Sequence, residues 1–124
     1  MPFAPVVLAK YADQVFDIKK SRYTSEFMSM LYDTKPEWQN RIPAAVHPVD
    51  KTARIQLVYK EKNKLLYDIL VSFYNLTGIP LLVNTSFNIH EEPIVCWPEN
   101  AVQHLVNGIV DYLIIENKLY YLEK

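Results

Sequence analysis

The alternation of apolar and polar residues is clearest in the second half of the chain. Apolar residues recur at helical spacing between Asn63, a suitable N-cap residue, and Gly78, which stands where a helix-ending glycine is expected. Pro80 then leads into the apolar run 81–83, which is typical of a short strand buried on both faces. The helix positions that the spacing predicts to face inward are Leu65, Leu66, Ile69, Leu70, Phe73 and Leu76.

The first half contains one strong strand pattern. Residues 6–8 indicate a short strand and residues 9–16 a short helix, whereas strict alternation over residues 52–59 predicts a longer strand. One face of that longer strand would be formed by Ala53, Ile55, Leu57 and Tyr59. We expect residues 52–59 and the strand 81–83 to lie in one sheet.

A second helix and two final strands complete the pattern. Pro98 is suited to begin the helix and Gly108 to follow its end. Residues 112–115 and 119–122 predict two strands that can form a hairpin. Because helices alternate with strands, the fold class is α/β or α+β. The inward positions predicted for the second helix are Ala101, Val102, Leu105 and Val106.

Length and composition restrict the class of protein. A chain of 124 residues, half of them hydrophobic, fits one domain with a buried core, taken here as residues 1–124. The formal net charge of −1 gives no basic surplus for binding nucleic acid, and no apolar run approaches the length of a membrane span. The single cysteine and the lack of a secretory signal at the start favour a cytoplasmic protein.

A polar cluster directly follows the buried strand and is formed by Asn84, Thr85, Ser86 and Asn88. Strand ends in α/β proteins open toward ligand crevices, so these amide and hydroxyl groups could bind a ribose, a base or phosphate oxygens. Only two glycines occur in the chain, which excludes a glycine-rich phosphate loop and leaves nucleotide binding to side chains. The alternative is a loop whose side chains satisfy their own backbone.

A second polar cluster surrounds the start of the strand 52–59. Arg54 could bind a phosphate or carboxylate through two parallel hydrogen bonds. The alternative is a solvated strand face on which Arg54 pairs with an acidic side chain. The residues predicted to support Arg54 are His47, Asp50, Thr52 and Gln56. His47 and Asp50 would hold the guanidinium and the loop in place.

Other reactive residue types give weaker signals. The spacing of His47, His90 and His104 fits no compact metal motif, so no metal site is predicted, and His104 is expected to be structural. Cys96 has no cationic neighbour in the sequence, which favours a buried, inert thiol over a nucleophile.

Three stretches together resemble the O-carbamoyltransferases of nodulation-factor and antibiotic biosynthesis. They are Ile42 to His47 continuing through Asp50 to Gln56, Gly78 to Asn88, and Glu92 to Cys96 followed by Pro98 to Ala101. The opening Pro2-Phe3-Ala4-Pro5 also matches the end of an Arg-Pro-Phe-Ala-Pro stretch of that family. The resemblance covers almost the whole chain in order.

The resemblance implies a fold and an activity. It implies the C-terminal portion of a YrdC-like domain, a twisted mixed sheet with flanking helices, in a much longer enzyme. That domain would make carbamoyl-adenylate from ATP, accompanied by Mg²⁺, and carbamoyl phosphate, before an N-terminal domain passes the carbamoyl group to an acceptor hydroxyl. Asn84 and Ser86 would then contact the nucleotide, and Arg54 would act catalytically on phosphate or the adenylate.

Several positions depart from the family pattern. Met1 stands in place of the arginine of the opening stretch, Lys51 in place of a glycine, and His90-Glu91 in place of Arg-Gly. Pro48 is an additional residue, and Trp97 replaces a helix-capping Ser or Thr. Since the larger domain lies upstream in this family, a separate chain could supply it, and the free chain is expected to be inactive.

Two other functions stay open. One is a nucleotide-binding module or degenerate remnant that keeps the fold without turnover. The other is a YrdC-like factor that forms threonylcarbamoyl-adenylate for tRNA modification, although the near-neutral charge gives no support for tRNA binding. The partners expected from the leading hypothesis are nucleotide and small-molecule substrates, with neither nucleic acid nor membrane.

Overall fold

The computed structural model describes residues 4–18 and 22–123. Pro2, Phe3 and Met1 of the opening motif therefore lie outside the described residues. The chain divides into two compact units, one ending at Thr85 and the other beginning at Ser86, and each is described by itself. Helices and small sheets occur together, so the predicted mixed α/β class is confirmed.

The first unit contains most of the regular structure. Its helices and strands are β1 (Ala4–Leu8), α1 (Ala12–Val15), β2 (Leu31–Asp33), α2 (Pro36–Gln39), β3 (Thr52–Arg54), β4 (Gln56–Val58), α3 (Lys64–Thr77) and β5 (Leu81–Asn84). Two 3₁₀ turns lie at Thr24–Phe27 and Pro43–Ala45.

The central sheet of this unit has the strand order β4-β1-β5. β1 is parallel to β4 and antiparallel to β5, so the sheet is mixed. The prediction of a single strand over residues 52–59 is wrong in part, because β3 pairs with β2 in a separate sheet and only β4 joins β5 in the central one. The chain changes sheets at Ile55, which is fully buried. Ala53, Ile55 and Leu57 are buried as predicted, but Val58 is also buried, in the cluster on the opposite face.

Each face of the central sheet has its own apolar cluster. Val7, Leu57 and Leu81 lie on one face with Ile55 and Phe16. The opposite face is covered by α3 and includes Val6, Leu8, Val58, Leu70 and Leu82. Because β1 is the central strand, all five of its residues are buried.

Helix α3 begins and ends where the sequence predicts. The Asn63 side chain accepts a hydrogen bond from the backbone N–H of Leu66 at 3.1 Å, and Gly78 follows the helix with a φ of 70°. The predicted inward face is only partly correct, since Leu70 is buried and Leu66 packs against the same cluster. Leu65, Ile69 and Leu76 are exposed, because the sheet contacts a side of the helix that also carries Tyr67, Val71 and Tyr74.

The second unit is small. It contains α4 (Pro98–Val106) and an antiparallel hairpin of β6 (Leu113–Ile115) and β7 (Lys118–Tyr120), as the sequence predicts. Ala101, Leu105 and Leu113 form its core, whereas Val102 and Val106 of α4 are exposed rather than inward. None of the helices in the described part of the chain is long and apolar enough to cross a bilayer.

Candidate functional site

Arg54 and Asn84 lie at the same end of the central sheet. Asn84 pairs with Ala4, the first residue of β1, and Val6 pairs with Gln56. The parallel pairing of β1 with β4 begins at Gln56, and Arg54, two residues earlier, pairs instead with Leu31 of β2. The two residues therefore lie toward the same end of β1, Asn84 within the central sheet and Arg54 just before the chain enters β4 of that sheet.

The Asn84 side chain can be assigned to one face of the central sheet. Successive residues of a strand point to opposite faces, so Asn84 shares a face with Leu82. Leu82 belongs to the cluster beneath α3, and Gln56 lies opposite Val6 of that cluster. Both Arg54 and Asn84 are exposed. An exposed guanidinium and an exposed carboxamide thus lie toward the same end of β1, on residues of two different sheets.

The strand order differs from the expected one. The strand that carries Arg54 was predicted to neighbour that of Asn84, but Arg54 lies in β3, which pairs with β2, and β5 pairs with β1 in the central sheet. Among the described residues, the Arg54 guanidinium forms no hydrogen bond or ion pair, so the predicted alternative of an acid-paired arginine is not realised there. A cation on an open surface without a partner is available to an anionic ligand.

A compact turn precedes β3 and is organised by Asp50. Its Oδ1 accepts hydrogen bonds from the backbone N–H of Thr52 at 3.0 Å and from the Thr52 hydroxyl at 2.8 Å. His47 Nδ1 lies 3.1 Å from the same oxygen. The backbone of His47 closes the turn by donating to the Thr52 carbonyl at 2.8 Å and accepting from Lys51 at 3.0 Å.

These contacts correct the role predicted for His47 and Asp50. Both residues do hold the turn, but among the described contacts neither touches the Arg54 guanidinium. The hydrogen bond from the Thr52 backbone, followed by that from its hydroxyl, lowers the pKa of Asp50 below its usual 3.8. The Asp50 carboxylate is therefore committed to the turn, and Thr52 supports Arg54 only through the backbone that joins them.

Gln56 also has a structural contact. Its side-chain N–H donates to the Glu26 carbonyl at 3.2 Å, which attaches the 3₁₀ turn Thr24–Phe27 to the edge of β4. Glu26 in turn forms an ion pair with Lys62. Through this contact, Gln56 stabilises the fold at this end of the sheet, so its side chain is not free for a ligand only.

The polar cluster 84–88 is divided between the two units. Asn84 and Thr85 are exposed at the end of β5 in the first unit. In the second unit, Asn88 donates to the carbonyls of Ile89 at 2.9 Å and Glu92 at 3.0 Å, while its Oδ1 accepts a hydrogen bond from Ser86. The Asn88 side chain thus forms hydrogen bonds within its own loop, as predicted by the alternative in which the side chains of this cluster satisfy their own backbone. Ligand roles for Thr85, Ser86 and Asn88 stay predictions.

The remaining reactive residues are placed as follows. His104 is buried in α4 with Nδ1 2.8 Å from the Asn100 carbonyl, which fits the predicted structural role. Cys96 is exposed, so its predicted burial is wrong; the loop 88–97 contains little regular structure to cover it. No three His, Cys, Asp or Glu side chains within the described ranges converge as metal ligands.

A basic surface at the opposite end of the sheet was missed by the sequence analysis. A groove of about 310 Å³ there is lined by Lys10, Arg22 and Lys60, together with Glu61 and Tyr67. Arg22 in this groove is ion-paired with Asp13 and donates to the Ala9 carbonyl at 3.2 Å. The available signal was the pair of lysines just after strands β1 and β4, the parallel pair whose carboxyl ends meet there.

Comparison with known proteins gives a consistent family. The family model described as "Carbamoyltransferase C-terminus" matches residues 1–122. An uncharacterized protein of Methanocaldococcus jannaschii is 39% identical over 119 residues, which are 96% of this chain and 22% of that protein. Nodulation protein NolNO of Sinorhizobium fredii is 36% identical over 118 residues, 95% of this chain and 17% of that protein.

A further nodulation protein supports the same relationship. NolO of Bradyrhizobium diazoefficiens is 32% identical over 114 residues, 92% of this chain and 21% of that protein. The chain thus spans only about a fifth of the curated relatives it matches. Most of each relative has no counterpart in these residues.

Proposed function

This chain belongs to the carbamoyltransferase C-terminus family, and from that membership we propose that it supplies part of the nucleotide-binding surface of an O-carbamoyltransferase. The nucleotide would be ATP, and then the carbamoyl-adenylate formed with carbamoyl phosphate as donor. The rest of the enzyme would transfer the carbamoyl group to an acceptor hydroxyl.

The observation that carries the proposal is the position of Arg54. Its guanidinium, which has no hydrogen bond or ion pair among the described residues, is exposed toward the same end of β1 as the carboxamide of Asn84. A guanidinium can donate two parallel hydrogen bonds to phosphate oxygens, and a carboxamide offers both a donor and an acceptor to a base or ribose. These complementary groups support binding of a nucleotide at this sheet end.

The chemistry proposed for Arg54 is electrostatic. Hydrolysis of carbamoyl phosphate would first release inorganic phosphate and leave carbamate. When a carbamate oxygen then attacks the α-phosphorus of ATP, negative charge increases on the non-bridging oxygens and on the departing pyrophosphate. A fixed cation beside those oxygens stabilises the transition state more than the ground state, provided that surrounding groups exclude water. Mg²⁺ would arrive bound to the phosphates, as it commonly does in nucleotide sites.

The test is ATP binding to a full-length enzyme. We would replace the matching segment of the Methanocaldococcus jannaschii relative by this chain and measure ATP affinity by calorimetry. Arg54→Ala is expected to weaken binding at least about tenfold, since hydrogen bonds to charged groups contribute roughly 1.5–3 kcal/mol. The matched control is Lys60→Ala, which removes an exposed cation from the opposite end of the sheet.

The two variants separate the candidate surfaces. The proposal expects Lys60→Ala to bind ATP like the unmodified enzyme. Loss of affinity in Lys60→Ala with normal affinity in Arg54→Ala would place the nucleotide at the other end of the sheet and contradict the assignment. Binding that depends on Arg54, without any carbamoyl transfer, would instead favour a nucleotide-binding module.

A further inference from the structure

The outer side of α3 carries an uncovered apolar stripe. Leu65, Ile69 and Leu76 are 72%, 44% and 85% exposed, whereas Leu70 on the inner side is fully buried. Their spacing places them on one line along the helix, with half-buried Phe73 beside them. We call Leu65, Ile69, Phe73 and Leu76 the outer stripe. Single exposed apolar residues are ordinary, but a continuous line of large ones indicates a covered surface.

The outer stripe is also unusually free of charge. From Ile69 to Ile89 the sequence contains no Asp, Glu, Lys or Arg. The nearest charges on α3 are Lys64 and Asp68, which form an ion pair with each other. The centres of protein interfaces are depleted of charged residues, whereas a solvent-facing helix side normally carries them.

An apolar groove continues the outer stripe onto the sheet. It has a volume of about 230 Å³ and is lined by Phe73 together with Ile42, Leu81 and Val83. Phe73 is therefore common to the stripe and the groove. The charged group in its lining is Arg41, whose guanidinium lies 4.0 Å above the Trp38 ring.

The two outer edges of the central sheet differ in what covers them. The β4 edge is attached to the 3₁₀ turn Thr24–Phe27 through Gln56. β5 forms the other edge, and within the described residues no strand pairs with its outer side. It carries no charge, and Val83 is 43% exposed. Edge strands that face water are usually protected by charge, proline or a bulge.

These observations, combined with the length of the relatives, indicate which polypeptide would cover this surface. The matched proteins contain about four fifths of their chain outside the region that this sequence spans. A bare strand edge beside an apolar groove and an uncharged helix stripe fits a polypeptide that adds main-chain hydrogen bonds and apolar side chains together. A small ligand would need no such extended surface.

We propose that the outer stripe, the groove and the β5 edge form the docking surface for the remaining polypeptide of the carbamoyltransferase. The occupant is the part of the enzyme that corresponds to the unmatched four fifths of the relatives. The inference rests on family membership and on the exposed surface, and it does not depend on nucleotide binding by Arg54.

The test compares one substitution in two settings. In the free chain, Leu76→Lys is expected to leave the thermal unfolding midpoint unchanged, because the side chain is exposed and both residues favour helix. In the full-length form made with the Methanocaldococcus jannaschii relative, the same change is expected to lower the midpoint by about 3 °C or more, since it would bury an unpaired ammonium. Ile69→Lys should behave likewise.

Asn75→Lys is the matched control. Asn75 is exposed on the flank of α3 that carries Lys64 and Asp68, so the substitution adds the same charge beside the outer stripe but outside it. Asn75→Lys is expected to leave the thermal unfolding midpoint unchanged in both the free chain and the full-length form. Because unfolding is measured without nucleotide, failure of the ATP proposal would leave this result unaffected.

Other outcomes would overturn the docking surface. If Leu76→Lys leaves the thermal unfolding midpoint unchanged in both the free chain and the full-length form, the outer stripe remains exposed to water. A loss of stability already in the free chain, or a free chain that sediments as a dimer which Leu76→Lys dissociates, would show that the chain covers the stripe itself.

A second measurement tests the docking surface even if the full-length form does not fold. The relative's polypeptide without the matched segment would be co-expressed with this chain, tagged, and purified. The chain should co-purify, Leu76→Lys should reduce recovery at least about fivefold, and Asn75→Lys should not. Failure of the unmodified chain to co-purify, with an insoluble full-length form, would also overturn the proposal.

Discussion

Asp50 accepts two hydrogen bonds from Thr52, one from the backbone N–H at 3.0 Å and one from the hydroxyl at 2.8 Å. Both bonds favour the ionised carboxylate, and the backbone bond is the larger cause of the lowered Asp50 pKa. Asp50 therefore contributes stability above its unfolded pKa, and that contribution is lost as pH falls through the folded value.

The first prediction concerns this pKa. The Asp50 carboxyl should titrate below 3.8, and Thr52→Val should raise its midpoint without restoring the usual value, because the backbone N–H remains. Carbon-detected NMR of the carboxyl resonance between pH 2 and 6 measures both midpoints. Equal midpoints in the two proteins would show that the hydroxyl does not contribute.

The second prediction concerns Lys51, which has a φ of 60° in the same turn. Lys51→Gly should stabilise the protein by about 1 kcal/mol, since the left-handed region is unfavourable for residues with a Cβ atom. Urea unfolding measures the change. Lys51→Ala is the control: it removes the ammonium, which donates to the Pro48 carbonyl, but keeps the Cβ atom and should give no gain.

The third prediction concerns the start of α3. Asn63→Ala should destabilise the protein by about 1 kcal/mol, because it removes the side-chain acceptor for the Leu66 N–H. Asn75→Ala, in the exposed interior of the same helix, should be neutral or slightly stabilising owing to the higher helix propensity of alanine. Urea unfolding of both variants is the measurement, and equal effects would contradict a capping role for Asn63.

Local signals in the sequence predicted the ends of elements well. Asn63 and Gly78 bound α3 because a capping side chain and a left-handed glycine act within a few residues. The family resemblance places glycines at positions 51 and 91, and both Lys51 and Glu91 have positive φ, at 60° and 69°. The resemblance thus carried information on backbone conformation that these residue types conceal.

Long-range relationships could not be predicted in the same way. α3 is apolar on two sides, so periodicity did not show whether Leu66 or Leu65 would face the sheet. The alternation over residues 52–59 predicted burial but not that the chain changes sheets at Ile55. Similarly, polar groups were predicted at Arg54 and Asn84, while their placement in two different sheets depends on long-range pairing of β3 with β2 and of β5 with β1.

Arg54 is proposed to act on the nucleotide within a larger enzyme. The most direct measurement is pyrophosphate release from ATP in the presence of carbamoyl phosphate, with the full-length form, its Arg54→Ala variant and the free chain. This role predicts steady release by the full-length form, a loss of at least about a hundredfold in Arg54→Ala, and only background release by the free chain. Full activity in Arg54→Ala, or sustained turnover by the free chain, would contradict it.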